Sequence, residues 1–371
     1  MTYWITNSLI VFILCVLFAG ILLPQILLIA YRRKLFDEVD ERKIHKGLIP
    51  RLGGLAFEPV ILLSIALVFG ANKLLGNTEF AEEFSNCSLL IIGMFCCVQM
   101  LYLIGIADDL IGIKYRAKFF MQLVCALLLI AAGCWFHSLG GVFGINELTP
   151  WIGMPFTAVV IVFIINAINL IDGIDGLASG LSSIACAIYG FSFLLIGENT
   201  YAIIAFATLG VLLPFFYYNV FGNVKKHSKI FMGDTGSLTI GLILSVLGIK
   251  LFTQPYNPAL GLNPSVLAFS PLVVPAFDVV RVYIVRIRAH RSPFLPDKNH
   301  IHHKFLAAGM QPRPAMVFIV SFSTLLTLLN LAMSQILNIN IVVAIDVILW
   351  ITFHILLNRR IRAYKSTVTH D

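Results

Sequence analysis

Apolar residues dominate this chain in stretches of about 17 to 25 residues, separated by short polar segments. The stretches fall at roughly 5–30, 55–75, 89–107, 119–136, 151–170, 177–196, 201–220, 236–252, 266–285, 316–335 and 341–357. About 20 apolar residues carry an α-helix across a hydrocarbon layer roughly 30 Å thick. Inside that layer the backbone must satisfy its own polar groups, which a helix does within one segment. The pattern therefore predicts an all-α, polytopic membrane helical bundle of about eleven transmembrane helices, forming one domain over residues 1–371. The first stretch has no basic segment before it and no small-residue cleavage site after it, so it reads as a retained span and not a signal peptide.

Composition strengthens this reading. Hydrophobic residues make up 59% of the 371 positions and charged residues only 12%, with mean hydropathy +0.91. A soluble globule carries about 25% charged residues. The charges are also one-sided. Arg32, Arg33, Lys34, Arg42, Lys43, Lys46 and Arg51 follow the first stretch; Lys114, Arg116 and Lys118 follow the third; Lys225, Lys226 and Lys229 follow the seventh. Arg286, Arg288, Arg291, Lys298, Lys304 and Arg313 follow the ninth, and Arg359, Arg360, Arg362 and Lys365 the last. The alternate connections hold almost none, so the amino terminus is expected outside and the carboxyl terminus in the cytoplasm. The net charge of +7 then reads as topology with attraction to anionic membrane lipid, and not as nucleic-acid binding. Most of the seven cysteines lie in apolar stretches and no CxxC pair occurs, which argues against a zinc or disulfide framework.

Against this apolar background a few polar clusters stand out. An ionised Asp at the centre of a spanning helix costs roughly 2.5 to 3.5 kcal/mol, and charge kept near a membrane usually has a function. The clusters are Asp108-Asp109, Asn169-Leu-Ile-Asp172-Gly-Ile-Asp175-Gly176, Phe231-Met-Gly233-Asp234-Thr-Gly236-Ser237 and His300-Ile-His302-His303, with Arg42-Lys43-Ile-His45 and Pro50-Arg51-Leu-Gly53-Gly54 in the first loop. The charge asymmetry puts all of them on the cytoplasmic side, in loops 31–54, 107–118, 169–177, 221–237 and 286–314. Carboxylates with an Asn amide supply the hard oxygen ligands that Mg²⁺ or Mn²⁺ prefers. Gly233 and Gly236 flank Asp234 at the start of a helix, where free N–H groups are expected to favour an anion. Lys114, Arg116, Lys118, Arg42, Arg51 and the histidines, His45 included, add donors suited to phosphates.

Each cluster taken alone also has a plain structural reading. Asp108-Asp109 could end a helix in water, the DGIDG segment could be a turn, and FMGDTGS could be a helix cap. The HIHH run has no Cys partner for a zinc site, and its rings can hydrogen-bond or partly charge toward a diphosphate. Asp278 and Arg281, one helical turn apart, read as an internal pair or as a groove for a lipid phosphate. Glu58 and Asp346 have no evident partner.

Taken in this order along nearly the whole chain, the motifs resemble those of the polyprenyl-phosphate N-acetylhexosamine-1-phosphate transferases of bacteria. The resemblance implies transfer of a sugar 1-phosphate from a UDP-N-acetylhexosamine to undecaprenyl phosphate, with release of UMP. It implies Mg²⁺ (or Mn²⁺) held by Asp234 and Asn169, a diphosphate contact from Lys118, and a need for Asp172 and Asp175 in activity. It gives His300, His302 and His303 to the nucleotide-sugar phosphates, and one of Asp108 and Asp109 to deprotonating the lipid phosphate. The DKNHIHH context is more similar to the GlcNAc-1-phosphate transferases of surface polysaccharides than to the muramyl-pentapeptide enzyme of peptidoglycan synthesis. Three readings stay open: that muramyl enzyme, pairing into a homodimer, and, from another class, an ion-coupled secondary transporter with charges at helix centres.

Overall fold

The computed structural model describes residues 1–36, 49–86, 88–256, 263–290 and 299–368. His45 and the rest of the Arg42–His45 motif lie outside these residues, as does Cys87. Among the described residues the apolar stretches fold as helices, and no strand forms. They are α1 (Thr2–Arg33), α2 (Phe57–Leu74), α4 (Ser88–Ile111), α5 (Tyr115–Ala131), α6 (Pro150–Ile171), α7 (Leu177–Ile196), α8 (Asn199–Phe221) and α9 (Gly233–Phe252). After them come α10 (Pro264–Phe269), α11 (Val273–Arg288), α13 (Pro312–Met333) and α14 (Ile339–Val368). Two short helices that the apolar pattern does not announce complete the set, α3 (Glu79–Asn86) and α12 (Ile301–Ala307).

Ten of these segments are long and apolar enough to cross a membrane, the pair α10–α11 counting as one. The stretch expected at 119–136 is α5, which at 17 residues spans about 25 Å and so falls just short of the usual length. The stretch expected at 266–285 is not continuous. A 3-10 turn at Ser270–Leu272 separates α10 from α11, where Pro271 and Pro275 lack the N–H that a regular helix needs. Asn330 Nδ2 on α13 donates to Ser270 Oγ at 3.1 Å and to Asp346 Oδ2 on α14 at 2.9 Å. That bridge supplies the partner for Asp346 that the sequence did not reveal.

α9 is the axis of the bundle. Residues 235–249 are buried without exception, as expected for a helix that is apolar all round. It packs on α4, α6, α7 and α10. Small residues let it approach closely: a Cβ on Gly105 of α4 would collide with the Thr235 backbone, and one on Gly54 with the Gly236 backbone. These contacts lie at the start of α9, and they bring the end of α4 and the Gly53–Gly54 turn to it, while Gly241 lets Ile165 of α6 approach further along. The motifs thus meet at one end of the bundle, which is also the end rich in Lys and Arg.

Candidate active site

The site is built around the first turn of α9. The chain before it runs beside the first loop: Phe231 N donates to Pro50 O, Gly53 N to Phe231 O, and Gly54 N to Met232 O, each at 2.9 Å. This zip joins two motifs 180 residues apart and carries Arg51 into the site. Arg51 lines a cleft with Lys34, Leu52 and Asp109. Gly233 takes a left-handed φ of 73°, and a Cβ there would strike Arg51 O and the Asp109 carboxylate.

The paired aspartates at the end of α4 have different surroundings. Asp109 Oδ1 accepts from Asp234 N at 2.8 Å, and its Oδ2 accepts from Thr235 N at 2.9 Å and Thr235 Oγ1 at 2.6 Å. Asp109 is therefore the cap of α9, supplied from another helix. The expectation that the α9 amino terminus offers free N–H groups beside Gly233 to a substrate anion is corrected here. The anion that it binds is the protein's own carboxylate. Asp108 faces the other way, with Oδ1 accepting from Ile113 N at 2.7 Å and Oδ2 from Lys118 Nζ at 3.1 Å.

Lys118, in the first turn of α5, also donates to Asp234 Oδ2 at 2.7 Å. One ammonium thus sits between two carboxylates. Asn169, near the end of α6, donates from Nδ2 to Asp234 Oδ1 at 3.2 Å and to Ser237 Oγ at 2.8 Å. Asp108 and Asp234 flank a position that already holds a positive charge, with the Asn169 amide on the other Asp234 oxygen, and carboxylate and amide oxygens are the hard ligands that suit Mg²⁺ or Mn²⁺. The donor set therefore fits such an ion, although among the described residues no three His, Cys, Asp or Glu side chains cluster as a ready-made metal centre.

The loop between α6 and α7 separates the other two aspartates. Asp175 is buried and ion-paired with Lys229, itself buried. Gly176 N donates to Asn219 Oδ1 at 2.6 Å, while Asn219 Nδ2 donates to Ile230 O at 2.8 Å. Asp175 therefore ties this loop to the segment ahead of α9. Lys229, read from the sequence only as a topology charge, and Asn219 were missed as site-forming residues. Their signal was position, Lys229 two residues before the FMGD motif and Asn219 at the end of an apolar stretch. Asp172 is half-buried and has no hydrogen bond to its carboxylate among the described residues. Burial, opposed by Arg51 and reinforced by Asp234, Asp175 and Asp109, raises it to about 7.

The histidine run packs against this same loop. A Cβ on Gly173 would collide with the His302 ring. His302 stacks parallel to His300 at 6.0 Å between centroids and tilts on His303 at 4.2 Å. Burial, with the neighbouring histidines adding to it, depresses His302 to about 3. Of the two roles expected of the ring, hydrogen bonding or partial charging, burial disfavours the second, and its buried Nδ1 has no hydrogen-bond partner among the described residues. His300 is held by Asp278, which pairs with Arg281 as well. The internal-pair reading of Asp278 stands, enlarged by the histidine.

The glycosyl transferase family 4 model matches residues 91–252, from α4 through α9, and so includes the Asp108, Asn169 and Asp234 motifs. The chain is 30% identical over 309 residues to the undecaprenyl-phosphate α-N-acetylglucosaminyl 1-phosphate transferase of Yersinia pestis, covering 81% of this chain and 78% of that one. The same-named protein of Escherichia coli K12 is 31% identical, covering 80% and 76%. A probable undecaprenyl-phosphate N-acetylglucosaminyl 1-phosphate transferase of Bacillus subtilis strain 168 is 30% identical, covering 83% and 80%. Similarity sustained over four fifths of the sequence, on a membrane bundle whose motifs converge at one end, means that this chain belongs to glycosyl transferase family 4.

Proposed function

We propose that the protein transfers N-acetylglucosamine 1-phosphate from UDP-N-acetylglucosamine to undecaprenyl phosphate, forming the lipid diphosphate sugar and releasing UMP. It works from the cytoplasmic face of a bacterial cytoplasmic membrane and starts a lipid-linked surface glycan. The observation that carries this reading is the meeting of Asp108 and Asp234 on the Lys118 ammonium, with Asn169 bonded to the other Asp234 oxygen. Phosphoryl transfer asks a protein for position and charge neutralisation more than for covalent chemistry. A motif set gathered at one end of the bundle also disfavours a transporter, whose ion site belongs near the middle of the layer.

The reaction is a direct displacement. An oxygen of the lipid phosphate bonds to the sugar-linked phosphorus as the bond to the bridging oxygen breaks, and UMP leaves with that oxygen. Asp234, Asn169 and Asp108 would hold Mg²⁺ or Mn²⁺, which when bound neutralises diphosphate charge. Lys118 faces the same oxygens with a second positive charge. Arg51 draws the anionic headgroup into the cleft that it lines. His302 and His303 contact the nucleotide-sugar phosphates by hydrogen bonds.

Asp172 is the base for the lipid phosphate. Asp109 has both oxygens committed to α9 and Asp108 is paired with Lys118, which leaves Asp172 with its lone pairs free. A base works when ionised, so kcat/KM should climb as pH rises through about 7. Asp172→Asn should lose that limb and fall by roughly 10²- to 10⁴-fold. A pH profile with the limb intact in the variant would return the role to Asp108.

The His302→Ala variant should raise KM for the nucleotide sugar by about tenfold, the worth of one neutral hydrogen bond, and leave KM for the lipid unchanged. Equal changes in both constants would remove His302 from the donor side. The reading as a whole is tested by incubating purified protein with undecaprenyl phosphate, Mg²⁺ and a panel of radiolabelled UDP-sugars, scored for lipid-linked product and UMP. Product from a UDP-sugar other than UDP-N-acetylglucosamine would reassign the donor, and UMP release without lipid product would refute the transfer. Labelled sugar phosphate trapped on the protein in the absence of lipid would replace direct displacement with a covalent step.

A further inference from the structure

Asp278 lies on the buried stripe of α11 between Val274 and Val282, each one helical turn away. Its side chain is 0% exposed. A carboxylate buried so completely is tolerated only if its lone pairs are met, and an apolar residue of similar size would often hold two helices together at lower cost. Its partners explain why it is there. Oδ1 accepts from Arg281 Nη2 at 2.8 Å and from the Ile301 backbone N at 3.0 Å, while Oδ2 lies 2.9 Å from His300 Nδ1. Arg281 also donates to Asn299 O. One carboxylate and one guanidinium thus grip three successive residues, Asn299, His300 and Ile301, where α12 begins. The middle of α12 is held from the opposite side, with Lys304 Nζ 3.3 Å from His354 Nδ1 on α14.

The Asp278 contact also sets the chemistry of the His300 ring. A carboxylate can only accept, so Nδ1 carries the proton and Nε2 keeps its lone pair in the neutral ring. A carboxylate behind an imidazole fixes its tautomer and orientation in the same way at metal centres. The segment that starts at His300 then places His302 against Gly173 in the loop that bears Asp172.

We propose that Asp278 is a positioning residue of the nucleotide-sugar pocket. It acts through the His300 ring and the Ile301 amide to fix the register of α12 and so the place of His302 and His303. This rests on the donor reading given above for the histidines. Because α11 packs on α6, whose end carries Asn169, the same clamp ties the histidine run to the cation-binding side of the site.

The test uses the full chain in detergent or nanodiscs, with UDP-N-acetylglucosamine as the probe. Asp278→Asn keeps the shape, but its amide nitrogen cannot accept from Nδ1. Calorimetric binding of UDP-N-acetylglucosamine without lipid should weaken by about 10- to 100-fold, the usual cost of losing such an outer partner. KM for that substrate should rise to match, and KM for undecaprenyl phosphate should stay within about twofold. His300→Gln should reproduce the effect, and the double variant should be no worse than the weaker single, because both act along one path. Additive losses, or equal changes in both KM values, would overturn the proposal. If Asp278→Asn does not fold, Arg281→Lys tests the second arm of the same clamp and should raise only the nucleotide-sugar KM, by a few-fold. Nitrogen chemical shifts of labelled His300 report the tautomer directly, and a ring protonated at Nε2 in the parent protein would refute the clamp whatever the activity. Failure of the donor reading looks different, because the parent protein would then bind no UDP-N-acetylglucosamine at all.

Discussion

Asp234→Ala is expected to reduce transfer on the order of a thousandfold while the protein stays folded. This side chain accepts from both Lys118 and Asn169. Removing it leaves the Lys118 ammonium with Asp108 alone and takes away the central oxygen donor for a divalent ion. Losing one preorganised electrostatic group in a water-poor site typically costs 10²- to 10³-fold, and here the loss also removes a ligand. Asp234→Asn keeps the volume and should lose nearly as much, because charge and not shape is what the site requires. The measurement is initial rate against Mg²⁺ concentration for each variant, with Mn²⁺ binding followed separately by electron paramagnetic resonance. Retention of a tenth of parent activity, or unchanged Mn²⁺ affinity, would take Asp234 out of the cation site. Backbone capping by Asp109 does not involve the Asp234 side chain, so thermal unfolding should move little.

Gly105→Ala is expected to be as damaging by another route. The added methyl would meet the Thr235 backbone and lie 3.0 Å from the Asp234 carbonyl carbon. Neither neighbour is the flexible end of a side chain, so α4 and α9 must separate. Overpacking of this kind costs about 1–3 kcal/mol. It also pulls Asp109 away from the N–H groups of Asp234 and Thr235, which then remain unpaired in a dry environment. Both the midpoint of thermal unfolding and the transfer rate should therefore drop. Gly70→Ala is the control: nothing lies within 4 Å of its Cβ position, and Ala is a better helix former than Gly by roughly 0.5–1 kcal/mol. Equal stability of the two variants would show that the close crossing of α4 and α9 is not what holds the site together.

Asp109→Asn separates anchoring from catalysis. The amide retains one acceptor oxygen for the α9 terminus but turns a donor toward the other N–H groups. This variant should lose stability and rate together, whereas Asp172→Asn should lose rate alone.

Much of this protein was legible in its sequence. The spans could be counted to within one, α5 falling short, because hydrocarbon forces the backbone into long apolar helices, and the motifs were visible because charge beside such helices is costly to keep. The break at Ser270–Leu272 falls inside a stretch that was expected to be continuous, at prolines whose effect an apolar count does not register. The short helices α3 and α12 gave none, since each is too brief for a periodic signal. Lys229 looked like one of several topology charges until the fold paired it with Asp175. Asp278 and Arg281 could be paired by their spacing along one helix, but His300 joins them from 22 residues away.

The sequence by itself determined that this is a helical membrane protein and which few carboxylates, amides and histidines could do chemistry, because transfer free energy and helix periodicity act locally along the chain. Only the tertiary structure decided what each of them is free to do. Asp108 and Asp109 are adjacent and chemically identical, yet one faces an ammonium and the other caps a helix. Hydrogen bonds fall off within a few tenths of an ångström, and the distances that assign them are set by how closely glycine lets α4 approach α9.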